Sequence, residues 1–124
     1  MNATVVGGFV LALAVIIGAF GAHALNDVLI GPRADWFQTA SDYHFWHGLG
    51  LLILGVAKSQ SNREAWHRWS ARFMVIGLIL FSGCLYGMAL TGTRVLGAIV
   101  PLGGLCFILA WFSLAMAFCK PSPP

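Results

Sequence analysis

The residues with most chemical capacity lie in one short stretch, Asp42-Tyr43-His44-Phe45-Trp46-His47, with His23 upstream and Cys84, Cys106 and Cys119 downstream. Imidazole can move protons, bind a metal or donate to a carbonyl, and a carboxylate can pair with a cation. His44 and His47 with Cys84 and Cys106 would suit zinc or a soft copper ion if a fold brought them together. HxxH is a weak signal, however, and neither cysteine belongs to a CxxC pair. Three cysteines are an odd number, so no complete disulfide framework is possible, and lying in apolar runs they read as small hydrophobes. There is no catalytic triad, phosphate-binding loop, dinucleotide glycine pattern or catalytic carboxylate pair, and Glu64 is the only glutamate. The inventory points away from an enzyme and requires no cofactor.

The elements that position these residues follow from composition. The chain has 124 residues, 59% hydrophobic and only 9% charged, with a mean hydropathy of +0.83. Soluble domains carry about 25% charged residues, so a water-soluble globular enzyme, a disordered tail and a nucleic-acid-binding module are excluded. The net charge of +3 is no nucleic-acid footprint, because Lys58, Arg63, Arg68 and Arg72 flank a single connection. At roughly 20 residues per span, residues 1–124 make one integral membrane domain, an all-α bundle of four transmembrane helices with short loops.

The helices are expected over about 3–25, 36–57, 62–90 and 95–119. A secretory signal is the competing reading of the first run, since Ala22-His23-Ala24 has the A-x-A form. No Lys or Arg precedes the run, though, and it exceeds the usual h-region of roughly 7–15 residues. Asp35 with Gln38, and Ser61 with Glu64, have the capping-box spacing of helix starts. Trp66 and Trp69 on one face, with Arg68 and Arg72 on another, mark an interfacial segment. Pro101 and Gly103-Gly104 interrupt the fourth run. Lys58, Arg63, Arg68, Arg72 and Lys120 on one side, against Arg33 and Arg94 on the other, predict both termini in the cytoplasm.

Apolar burial cannot hold helices together in lipid, so small residues must let backbones approach. Ala14, Gly18 and Ala22, and likewise Gly83, Gly87 and Thr91, recur every four residues; Gly21, Gly48, Gly103 and Gly104 add further contact points. The 16 aromatic residues (five Trp, two Tyr, nine Phe) are expected mostly at helix ends or facing lipid. Intramembrane ionisable groups are functional hypotheses by default, and here these are His23, Asp42, His44 and His47. Tyr43 and His47 share a helical face, with His44 at its edge. At ~1.5 Å per residue, His44 and His47 lie about 12 and 17 Å from Trp36, and Cys84 and Cys106 roughly 10 and 16 Å from their own outer ends. The same level therefore permits a metal, a proton, quinone or headgroup contact, or simple hydrogen bonding to Ser41, Ser82 or Tyr86. The last asks least of the residues. His23, Tyr43, His44 and His47 are expected to face the bundle interior, and Asp42 to face the interface or pair with Arg33 or Arg94.

Gly18-Ala19-Phe20-Gly21-Ala22-His23-Ala24-Leu25 is the most distinctive string. It is followed in order by Thr39-Ala40 with Tyr43-His44 and His47, by Phe81-Ser82-Gly83-Cys84-Leu85-Tyr86, and by Pro101-Leu102-Gly103-Gly104. Over nearly its whole length the chain resembles the domain-of-unknown-function family 423, small bacterial inner-membrane proteins related to eukaryotic transmembrane protein 256. The resemblance implies a multi-pass protein of the bacterial cytoplasmic membrane and no particular activity. Position 84 commonly holds serine in that family, so Cys84 is a departure that weakens a mixed His/Cys metal site. Two functional readings follow. One is a non-enzymatic binding or accessory component, whose partners are the lipid bilayer and either a larger membrane complex or its own copies. The other is a small-solute or proton transporter using the histidines.

Overall fold

Each apolar run becomes one helix: α1 (Ala3–His23), α2 (Pro32–Val56), α3 (Glu64–Thr91) and α4 (Val95–Phe118). The structure, a computed structural model, describes residues 1–120. α1, α3 and α4 are each long and apolar enough to cross a membrane. α2, with 25 residues, is equally long, but Gln38, Asp42, His44 and His47 make its first half far more polar.

α2 begins four residues earlier than the sequence suggests. Gly31, at φ +57°, turns the chain, and Pro32 fills the first helical position, where a missing N–H costs nothing. The Asp35–Gln38 capping box therefore does not form: Asp35 lies inside the first turn, and Gln38 Nε2 donates to Asp42 Oδ1 at 2.8 Å. The Ser61–Glu64 box does not form either. Arg63 stands before α3 without a side-chain cap, and Ser61 Oγ donates to the Ala117 carbonyl at 3.3 Å. Asn62 Nδ2 donates to Phe118 O at 3.2 Å, and the Asn62 and Arg63 amides both donate to Ala117 O. The last carbonyls of α4 lack intrahelical partners and take the donors of this loop.

α4 is not broken at Pro101. A 3₁₀ turn at Val95–Ala98 leads into the α-helix, and Pro101 falls in its first turn, where its fixed φ is tolerated. α3 is continuous but π-helical over Leu78–Gly83. It ends at Gly92, whose φ of +74° and amide bond to Met88 O make a left-handed cap. Beside that cap, Arg33 donates Nε to Ala89 O at 2.7 Å and Nη2 to Leu90 O, tying the start of α2 to the end of α3.

The closest helix pairs are α1 with α2 and α3 with α4, and α2 against α3 joins them. The buried stripe of α1 is Ala3, Gly7, Ala14 and Gly21. A Cβ on Gly7 would stand 2.7 Å from the Leu52 amide nitrogen, and one on Gly21 2.3 Å from the Phe37 ring. The expected contact face through Ala14, Gly18 and Ala22 is thus corrected: Gly18 has nothing within 4 Å of its Cβ position and Ala22 is exposed. Residues seven apart drift about 20° around a helix, whereas each step of four drifts about 40° and leaves the seam. Gly83 is likewise no contact point, meeting only Leu78 of its own helix. Gly48, Gly87 and Gly103 are close: a Cβ on Gly103 would come within 2.5 Å of the Phe81 nitrogen. Gly104 meets the Phe81 ring at ordinary contact distance. Leu51, Leu54, Met74 and Ala110, none with exposed surface, form the core beside the Ser61 loop, and Ala40, Leu85 and Met88 the smaller core toward Gly92.

Candidate functional site

His47 sits where α2, α3 and α4 meet, 4% exposed. Its Nδ1 lies 2.7 Å from the carbonyl of Tyr43, one turn back, and its Nε2 receives the indole N–H of Trp111 at 3.0 Å. A carbonyl only accepts and an indole N–H only donates, so these partners impose one neutral tautomer, with the proton on Nδ1. The ring stacks on Phe107 (centroids 3.5 Å, 16°) and lies near parallel to Tyr43 (5.7 Å, 16°). Tyr43, half-buried, also meets Phe81 at 4.5 Å. Phe107 is buried and Tyr43 and Phe81 half-buried, so these three depart from the placement expected of the aromatics, whereas Phe9, Phe20, Trp46, Trp111 and Phe112 are exposed.

His44, 6% exposed, lies between α1 and α3. Its Nδ1 is 3.2 Å from the Tyr86 hydroxyl, which is 3.3 Å from Ser41 Oγ, and the imidazole also faces the Val10 carbonyl. One phenolic proton can serve His44 or Ser41 but not both, so these three groups form one coupled set. Phe37 packs edge-on to Tyr86 at 5.2 Å.

The remaining candidates part from the sequence reading at His23, in the ion pairs offered for Asp42 and in the metal set. His23 does not face the interior: it is exposed at the last turn of α1, where the chain turns outward and water can satisfy the ring. Asp42 does not pair with Arg33, which is held by the carbonyls ending α3, or with Arg94, which lies over the Trp36 ring at 6.0 Å. Among the described residues Asp42 has no ion-pair partner, only the Gln38 amide. It lines a groove of about 540 Å³ between α1 and α2, together with Asn26, Gln38, Ser41 and the unfilled face at Gly18. The weak metal candidates His44, His47, Cys84 and Cys106 do not converge. No group of three or more His, Cys, Asp or Glu side chains comes together among the described residues. Both nitrogens of His47 are already engaged.

The sequence reading missed His67, which is 5% exposed. Its Nε2 donates at 2.9 Å to the carbonyl of Leu54, one of the orphan carbonyls at the end of α2. Ser70 Oγ donates to Ala110 O at 2.9 Å, bonding α3 to α4. The signal was present: His67, Ser70, Ala71 and Met74 follow the i, i+3, i+4, i+7 pattern of one buried face. Ser82, on the π-helical segment, carries the one buried side-chain oxygen without a partner among the described residues.

The comparisons with known proteins agree with one another. The model of a family described as "Protein of unknown function (DUF423)" matches residues 17–104. A UPF0382 membrane protein of Staphylococcus epidermidis is 39% identical over 116 residues, covering 94% of this chain and 93% of the relative. The UPF0382 inner membrane protein YgdD of Escherichia coli is 38% identical over 106 residues, 86% of this chain and 78% of its own. No solved structure matches.

Proposed function

Because this chain belongs to the DUF423 family, we propose that it is a four-span inner-membrane protein that works by binding, as a small component of a membrane assembly or homo-oligomer, and not by catalysis. Helix α2 counts as the fourth span because it packs lengthwise between α1 and α3. Its intramembrane histidines make the internal bonds that remove the cost of polar groups in lipid. The Ser61–Arg63 loop bonds the end of α4, and Gly55 lies against Thr4 at the start of α1. Lys58, Arg63, Arg68, Arg72 and Lys120 therefore share one end of the bundle, which the positive-inside rule assigns to the cytoplasm.

The observation that carries the binding reading is Asp42. An intramembrane carboxylate without a cation is costly, and it borders a groove whose small-residue face at Gly18 is left open. A neighbouring transmembrane helix bringing a donor or cation would satisfy both. The transporter reading draws less support, since Leu51, Leu54 and Met74 are fully buried beyond His47, and the buried His67 and Ser70 there are bonded to the Leu54 and Ala110 carbonyls.

Purification in mild detergent tests the proposal. The wild-type chain is expected to run with copies of itself or with a co-purifying membrane protein, and Gly18→Leu or Asp42→Asn to release it as a folded monomer. A wild-type protein that is strictly monomeric and partner-free would sink the reading. Membrane-impermeant thiol labelling of single cysteines at Lys58 and Thr93, in a chain with the three native cysteines replaced, tests the orientation. Only the Thr93 site should react from outside.

A further inference from the structure

At the proposed cytoplasmic end, a cavity of about 640 Å³ opens among the start of α1, the end of α2 and the start of α3. Its walls carry three basic side chains, Lys58, Arg68 and Arg72, against one carboxylate, Glu64. Glu64 is engaged by Arg68 at 3.2 Å, so Lys58 and Arg72 have no ion-pair partner among the described residues. The Arg72 guanidinium lies 5.2 Å over the Trp69 ring, one turn back toward the start of α3. Side chains on a helix lean toward its N-terminus, and this lean lifts the charge from the apolar zone to the rim. The floor is made of small buried residues, Ala3 and Ala71, and one wall is His67, held on the Leu54 carbonyl.

We infer that this cavity is a binding site for a phosphate group, carried by an anionic phospholipid of the surrounding leaflet. A guanidinium and an ammonium facing one recess, with the single acid already paired, match a phosphodiester in charge and in hydrogen-bond donors. Basic pockets between membrane helices on the cytoplasmic side recognise anionic headgroups on the same grounds. The tails have a path. α1 and α3 each pack on α2 but form no lengthwise pair with one another, so the seam between them runs from the cavity into the apolar zone. The site lies at the other end of the bundle from the Asp42 groove and stands independently of the assembly role.

The test uses the full chain in phosphatidylcholine nanodiscs containing a minor fraction of phosphatidylglycerol. Native mass spectrometry then counts the lipids retained after release. The wild-type protein should retain phosphatidylglycerol in preference to phosphatidylcholine, and Lys58→Gln and Arg72→Gln should each lower that retention about fivefold. Arg63→Gln removes a nearby charge that does not line the cavity and should leave retention unchanged. Lys58 is exposed, so its variant keeps the test valid if Arg72→Gln does not fold. Displacement of the lipid by millimolar inorganic phosphate would keep the phosphate site and transfer it to a free ion. Equal loss in all three variants, or no preference in the wild type, would overturn the site.

Discussion

Trp111 on α4 hands its indole N–H to Nε2 of His47 on α2, whose other ring nitrogen is spent on the carbonyl of its own helix at Tyr43. This one contact ties the second helix to the fourth, and it makes His47 a fixed acceptor rather than a mobile acid or base. Replacing Trp111 by Phe keeps the ring and removes the donor. The expected loss is about 0.6 kcal/mol and at most about 1.7, read from reversible unfolding in detergent. In a double-mutant cycle with His47→Phe, the second substitution should cost almost nothing more. Fully additive losses would show that the bond carries no coupling energy.

Close backbone approach makes an unequal set of glycines. Gly55→Ala would place a Cβ 2.3 Å from the Thr4 backbone nitrogen, and Gly103→Ala 2.5 Å from that of Phe81. Backbone cannot yield as a side chain can, so each should cost about 1–3 kcal/mol. Gly8→Ala and Gly18→Ala meet open space, and a better helix former there should leave the monomer's stability unchanged or raise it by up to about 1 kcal/mol. Thermal unfolding of the four variants decides the matter, and the reverse ranking would refute the helix contacts described above.

Tyr86, Ser41 and His44 should behave as one unit. Tyr86→Phe removes the oxygen that both neighbours use, with an expected cost of about 1 kcal/mol. Ser41→Ala should then be nearly silent in the Tyr86→Phe background but measurable in the wild type. Equal effects in both backgrounds would mean that Ser41 finds its partner elsewhere.

Ser82 is expected to respond with the opposite sign. Its hydroxyl is buried and unpaired among the described residues, and such a group costs about 1–3 kcal/mol. Ser82→Ala should therefore unfold at the same temperature as the wild type or a higher one. A clear fall would reveal a partner for Ser82, and with it a reason for the π-helical turn.

The four helices, and the apolar character of α1, α3 and α4, were legible in the sequence, because length and hydropathy are local and add along the chain. Trp66, Trp69, Arg68 and Arg72 likewise announced the interfacial start of α3 without any knowledge of neighbours. The tertiary structure decided everything that depends on a second helix. The sequence marked Ala14, Gly18 and Ala22 as the contact stripe of α1; the seam instead follows Gly7, Ala14 and Gly21, because a spacing of seven stays in register with α2 while Gly18 rotates away. His67 drew no reading from the sequence, because what places it is the unsatisfied carbonyl of Leu54, thirteen residues earlier on another helix. Asp42 had two plausible arginine partners by loop position, yet the carbonyls ending α3 hold Arg33 and the Trp36 ring draws Arg94. The axial rotation and depth of each helix set these pairings. Those are properties of the packed bundle, minimised over all four helices at once, and no single stretch of sequence encodes them.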